Sequence, residues 1–384
     1  MDIRTEERDI KSMERYWMWL CSCPGLYRQE IAGLISYFHD PKALYEAKTR
    51  ELIRWKRLAD DETVKWVNSL IDYKDLVTVA EAEEKLKNRR LHFVSRQSPA
   101  FPKKLINLPD CPYGLFYRGK LPDPDRPSAA VVGARQCSSY GKQMSVVLGQ
   151  ALAEEGYQVI SGMASGVDST AQSACVSSGG SSYAVLGCGA DVCYPPENAS
   201  LYEHLEASGG IISEYSPMTP PLRHHFPMRN RIISGMSDAV IVVEARARSG
   251  SLITADLALD QGKEVYAVPG RYNDLLSYGC NRLIEQGAGI VLSTDSLLEN
   301  LALTLDLKRV SPGTDETVRQ VPADMEENEM KVYTALNFDA KSIDEIASEA
   351  GLTLLQSMRA LLNLQLKNLA VEVSKNRYIV KMAS

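Results

Sequence analysis

The sequence predicts an α/β domain on a Rossmann-like, doubly wound, mostly parallel sheet, with a small helical module before it and a winged helix after it. Three features carry this reading. Seven short apolar runs, rich in β-branched residues, recur at Ala129–Val132, Tyr157–Ile160, Tyr183–Leu186, Gly210–Ile212, Ala239–Val243, Val265–Val268 and Gly289–Leu292. Most are separated by amphipathic stretches of ten or more residues. Continuous apolar strands alternating with helices belong to a parallel sheet covered on both faces. Finally, turns built from Gly, Ser and Arg follow the runs, as they do where an open sheet binds ligands at its strand ends.

The flanking elements follow from local signals. Tyr16, Trp17 and Leu20, then Ile31, Leu34, Ile35 and Phe38, repeat at helical spacing around a Pro24-Gly25 break. An acidic helix is expected across 62–87. Residues 1–80 thus read as a helical domain and 81–306 as the sheet domain. Polar, Pro- and Gly-bearing 307–328 reads as a linker. In 329–384, Met330, Val332, Tyr333 and Leu336 mark a helix. Ser342 with Glu345 three residues on is a capping box. Gly351 ends that helix, Leu354–Leu366 forms the next, and Val371–Val373 with Tyr378–Val380 forms a hairpin. Helix-turn-helix plus hairpin is a winged helix.

The whole chain sets bounds on function. Its 384 residues carry a formal charge of −6, which excludes a diffuse basic surface and confines any polyanion site to a local cluster of Arg and Lys. The N-terminus has no apolar core of a secretory signal, and no stretch reaches the ~20 apolar residues of a membrane helix. A cytoplasmic protein without membrane contact is expected. Eight cysteines, at 21, 23, 111, 137, 175, 188, 193 and 280, include no Cys-x-x-Cys pair. Reduced, packed thiols and no metal site are therefore expected.

The turns after the strands hold the candidate chemistry. Gly133 to Gly141 contains Arg135, Cys137 and Ser138; Ser161 to Asp168 contains Gly162, Ser165 and Gly166; Glu244 is followed by Arg246, Arg248, Ser249 and Gly250. Glycine admits a close ligand, serine donates, and arginine grips phosphate with two N–H groups. Together they predict an anion-binding rim. Phe226 to Gly235 adds Arg229, Asn230 and Arg231. Two residues apart on a helix, the arginines point about 200° apart, so both cannot face one ligand. One is expected to buttress the fold through a carboxylate, with Glu244 or Asp238 as candidates. Asp168 reads as a helix cap. His224 and His225, read as strand neighbours facing opposite sides, are assigned to surface or packing roles. Gly-x-Gly-x-x-Gly and a Walker A lysine are both missing, so dinucleotide and P-loop chemistry lack support.

With these blocks in view, the chain resembles the DprA/Smf family of DNA-processing proteins. The matching segments are VVGARQCSSYG (131–141), SGMASGVD (161–168), GCGADVCYPPEN (187–198), FPMRNRIISGMSD (226–238) and VVEARARSGSLITA (242–255). The resemblance implies a SAM or helix-hairpin-helix N-terminal module, a Rossmann-like core and a C-terminal winged helix. It implies a non-enzymatic protein without cofactor that binds and protects incoming single-stranded DNA in natural transformation. Displacement of single-strand-binding protein, loading of the RecA recombinase and homodimerisation through the Rossmann domain are implied with it. It places Arg135, Ser138, the 161–166 turn, Arg229-Asn230-Arg231 and Ser249-Gly250 at the DNA. Ala134 stands where the family usually has Thr or Ser, and Ser165 where some members carry Arg.

The residues themselves are less generous to the outer modules. Residues 325–384 hold seven Lys/Arg against eight Asp/Glu, and Arg359 is the only charge on Leu354–Leu366. A duplex-reading helix brings several donors to the groove, so weak duplex binding or a protein contact is expected there. Two competing readings are a phosphoribohydrolase-like nucleotide or sugar-phosphate enzyme and a ligand-sensing transcription regulator. The first lacks its Pro-Gly-Gly block at Ala245–Thr254.

Overall fold

The computed structural model describes residues 3–56, 64–305, 325–338 and 340–381. Nine strands form the main sheet: β1 (His92–Ser95), β2 (Gly114–Gly119), β3 (Ser128–Val132), β4 (Gln158–Ser161), β5 (Ser182–Val185), β6 (Gly210–Ser213), β7 (Ala239–Val242), β8 (Glu264–Ala267) and β9 (Gly289–Ile290). Their order is β1-β2-β6-β5-β4-β3-β7-β8-β9. β3 to β9 are mutually parallel, as the seven apolar runs predict. β1 and β2 extend the sheet antiparallel, through β2 against β6. Neither was expected. Both lack the continuous β-branched run that marks a strand buried on two faces.

Side chains of each strand alternate between two helical layers. Ala129 and Val131 of β3 face the helices Ser139–Glu154, Val167–Ser177 and Thr294–Thr304, through Leu148, Ala171 and Leu301. Ala130 and Val132 face the helices His225–Met236, Gly250–Asp260 and Tyr278–Glu285, through Ile232, Ala255 and Leu283. The sheet is doubly wound.

The helices Ile3–Cys21, Arg28–Phe38, Pro41–Glu46, Thr49–Lys56, Val64–Leu76 and Val79–Asn88 precede it. The helix expected over 62–87 is two. Thr78 Oγ1 accepts from Glu81 N (3.2 Å) while Glu81 Oε2 accepts from Thr78 N (2.7 Å), a capping box that starts a new helix; residues 62 and 63 lie outside the described residues. Trp17, Trp19 and Leu34 share one apolar cluster with Ala184, Leu186 and Leu205, so this helical layer packs directly on the β5–β6 side of the sheet domain. Trp19 Nε1 donates to Val77 O (2.8 Å) and fixes the break between the two helices.

Most of the expected linker lies outside the described residues. Beyond it come the helices Glu327–Ala335, Ile343–Ala350 and Leu354–Leu366, and a three-stranded antiparallel sheet of β10 (Lys341–Ser342), β11 (Ala370–Ser374) and β12 (Arg377–Val380), ordered β10-β12-β11. Ser342 caps the second helix and Gly351 ends it at φ +64°. Among the described residues no helix is long and apolar enough to cross a membrane.

Candidate nucleic-acid interface

β3 continues into a helix on one face of the sheet, and its neighbour β7 into a helix on the other. The chain parts there, at the C-terminal ends of β3 and β7, which is where open α/β sheets bind ligands. A cavity of about 920 Å³ occupies this point. Five arginines line it: Arg135 after β3, Arg223 and Arg229 around the start of helix His225–Met236, and Arg246 and Arg248 after β7. Among the described residues Asp168 is the only carboxylate on its wall.

The arginines are of two kinds. Arg135, Arg223, Arg246 and Arg248 are exposed, and none makes an ion pair with a described carboxylate. Arg135 lies over the Phe226 ring, 5.3 Å from its centroid. Arg229 is buried. It donates to Gly162 O (3.2 Å), to Val185 O, and from Nε to Asn230 Oδ1 (3.3 Å). Burial pushes its guanidinium down to about 10, opposed by the nearby Asp168 carboxylate, so it stays charged at neutral pH. Asp168 is pushed up by burial, with the Arg229 charge acting against the rise.

Asp168 is therefore not the helix cap that sequence suggested. Gly166 occupies the N-cap, and the Asp168 carboxylate turns back to accept from Gly162 N (3.1 Å). The 161–166 turn is pinned between that carboxylate and Arg229. A Cβ at Gly162 would stand 2.5 Å from Arg229 Nη2, so any larger residue there would displace the guanidinium. Gly166, at φ +86°, would drive a Cβ into Ala134 O at 2.4 Å, so it lets the β3 and β4 turns touch.

On the β7 side, Asn230 Nδ2 donates to Gly250 O (3.2 Å) and Ser249 Oγ accepts from Ser251 N (3.4 Å). Ser249, the N-cap of helix Gly250–Asp260, lines the cavity with Gly250, Ser251 and Thr254, and the positive end of that helix meets it.

The predicted site residues divide accordingly. Arg135, Arg229, Asn230, Ser249 and Gly250 come together on the cavity wall. Gly162 and Ser165 line a smaller neighbouring hollow of about 100 Å³, which shares Arg135, Phe226 and Arg229 with it; Ser165 Oγ donates to Glu197 (2.9 Å). Ser138, Ser161 and Gly166 hold the loops instead of lining either. Ser138 Oγ donates to Glu244 Oε1 (2.5 Å) and caps its own helix through Gly141 N (3.1 Å), while buried Ser161 donates to Val131 O (2.6 Å).

Arg231 is not at the cavity. Its guanidinium is ion-paired to Asp110 (2.8 Å) and Glu214 (2.8 Å), facing the N-terminal helices. The expected partners Glu244 and Asp238 serve Ser138 and Lys104. The histidines sit at a helix start, not on a strand. His225 is buried, stacked on Tyr215 at 3.9 Å, with Nδ1 3.2 Å from Gly187 O. Cys137 is half-buried, and burial next to Glu244 raises its thiol, so it is not an activated nucleophile. No group of three or more metal-ligating side chains occurs among the described residues.

Sequence reasoning named Arg246 and Arg248 without ranking them, and it missed Arg223. That arginine stands in a Pro-Pro-Leu-Arg segment eleven residues beyond the Gly210–Ile212 run, outside the turn that directly follows the strand, and only the fold brings it to the rim.

Fold and cavity define a class: a Rossmann-like α/β protein with an arginine-walled crevice at its switch point, suited to a polyanion. The chain belongs to the DNA recombination-mediator protein A family, the DprA/Smf proteins, whose profile matches residues 92–302. It is 31% identical to Protein Smf of Synechocystis sp. over 82% of this chain and 86% of the relative. It is 43% identical to DNA processing protein DprA of Streptococcus pneumoniae over 52% of this chain and 70% of that one. Among solved structures, DNA processing protein A of S. pneumoniae superposes with a TM-score of 0.61 at 32% identity, covering 74% of this chain and 97% of that one. DNA processing protein A of Helicobacter pylori, a structure concerned with its single-stranded DNA binding mode, gives 0.51 at 29% identity over 57% and 98%.

Proposed function

We propose that this chain is a single-stranded-DNA-binding protein without catalytic activity, and that the arginine crevice holds the strand by its phosphates. One observation carries the reading. Four exposed arginines, none ion-paired to a carboxylate among the described residues, converge on a single cavity in a chain whose net charge is −6. Such a concentration of unpaired guanidinium has a use only if an anion completes it. Phe226 beside Arg135 adds a face on which a base can stack. The single-stranded-DNA binding of the H. pylori relative supports the same reading.

The finer assignments are proposals of the same standing. The chain acts in natural transformation and recombination in the cytoplasm, protects incoming strands, displaces single-strand-binding protein and loads the RecA recombinase. It forms a homodimer through the Rossmann domain; exposed Ile290 and Leu292, in and just after the edge strand β9, offer apolar surface for that contact. The C-terminal module is a winged helix that binds duplex poorly. Leu355, Met358, Leu362 and Leu366 are exposed along its third helix, a surface for protein more than for phosphate.

The reading is tested by titrating a labelled single strand and the matching duplex across salt, with mononucleotide competitors. Single strands bind more tightly, with little sequence preference and a steep salt dependence. Tight mononucleotide binding with turnover would replace this reading with an enzymatic one. Sequence-specific duplex binding by the C-terminal module would replace it with a transcription regulator.

A further inference from the structure

A second cavity, of about 490 Å³, opens at the opposite end of the sheet. Ser128 on its wall begins β3, the strand whose other end feeds the arginine crevice, and Met236 on its wall ends the helix that carries Arg229. β3 runs from Ser128 on this wall to Val132 on the wall of the crevice, four residue steps or ~13 Å.

Its chemistry differs from that of the crevice. It has no arginine. Phe101, Tyr117, Leu121 and Met236 supply apolar walls, and four prolines (Pro99, Pro102, Pro122 and Pro124) frame it. Proline fixes its own φ, so this frame is pre-organised and loses little entropy on binding. The polar groups at the base are already satisfied. Lys104 Nζ donates to Asp238 (2.7 Å) and Ser128 Oγ (2.8 Å), and the Gln158 amide is held by the backbone of Asp123 and Arg126. Two further lysines, Lys103 and Lys120, stand exposed on the wall without an ion pair among the described residues. Against them the lining offers one unburied carboxylate, Asp123. A volume in the range of ligand sites, apolar walls and a few cations at the mouth make a receptor for an acidic group attached to an apolar one.

We propose that this cavity docks an acidic peptide segment of a partner protein, taking one bulky apolar side chain between Phe101, Tyr117, Leu121 and Met236 while Lys103 and Lys120 engage flanking carboxylates. The charge complementarity is local, since the chain as a whole is acidic. Prolines and aliphatic side chains, with no arginine, favour a peptide over a nucleic acid. The site is independent of the arginine crevice, so DNA and peptide are held together.

The test uses the full chain and a fluorescein-labelled peptide, Asp-Glu-Asp-Phe-Glu-Asp, followed by anisotropy, with a second peptide carrying serine in place of phenylalanine. Saturable binding that weakens with salt is expected. Lys103→Glu/Lys120→Glu should lower affinity at least ~10-fold, because each reversal sets like charges together. Leu121→Asp should lower it comparably, and the serine peptide should bind more weakly than the phenylalanine one. Single-strand affinity should be unchanged in all these variants, which also reports that they fold. No saturable binding, equal binding by the charge-reversed variant or the serine peptide, or displacement of the peptide by an oligonucleotide would overturn the proposal.

Discussion

Arg229 and Arg231 leave the same helix in nearly opposite directions, and each finds a different environment. Arg231 meets two carboxylates, Asp110 and Glu214, that match it fully; its charge is spent on joining the helix to the β2 and β6 side of the sheet. Arg229 meets two carbonyls and one buried carboxylate, Asp168, whose own ionisation burial discourages. One face of the helix is electrostatically closed and the other is left open to an anion. A basic residue reports a binding site only when its charge is not already answered.

The comparison can be broken by removing each arginine in turn. Arg229→Ala has the largest expected effect, since it should cost ~3 kcal/mol of stability, by stranding a buried partner, and also lower single-strand affinity severalfold or more. Arg231→Ala should cost a similar ~3 kcal/mol in urea denaturation but leave the affinity of the remaining folded protein intact. Loss of DNA binding in folded Arg231→Ala would erase the distinction. Arg135→Ala should leave stability within ~0.5 kcal/mol, because the side chain is exposed, and flatten the salt slope of single-strand binding by about one unit. An unchanged slope would mean that Arg135 touches no phosphate.

The smallest effect concerns His225, the first residue of this helix, stacked on Tyr215. Burial and the adjacent His224 lower its pKa below the usual ~6.5, so the folded state holds fewer protons than the unfolded one. Its contribution is complete above the unfolded value and is lost as pH falls through the folded one. Chemical denaturation across pH 7.5 to 5 should show wild type losing more stability than His225→Phe, which keeps the stack without the titration. Parallel curves would contradict this.

Much of the frame was legible in the sequence. The parallel strands fall within a residue or two of their apolar runs, because burial on both faces demands a composition that the chain states locally. β1 and β2 were not legible, since His92–Ser95 and Gly114–Gly119 lie at the margin of the sheet and carry no such run. For the site, the strand-end turns announced Arg135 and Ser249-Gly250. The fate of Arg231 depended on Asp110, over a hundred residues earlier in sequence, and on Glu214. Glu244 and Asp238 were nearer candidates and were wrong, because Ser138 and Lys104 claim them. Pairings between distant segments are set by topology, and local spacing contains no trace of them.

The central claim is that the arginine crevice is a single-strand site. Its most direct test is the affinity of the full chain for one oligonucleotide, single and duplex, measured from low to moderate salt with wild type and Arg135→Ala side by side. The account predicts tighter single-strand binding by wild type and a shallower slope in the variant. Equal affinity for both forms of DNA, with identical slopes in the two proteins, would contradict it.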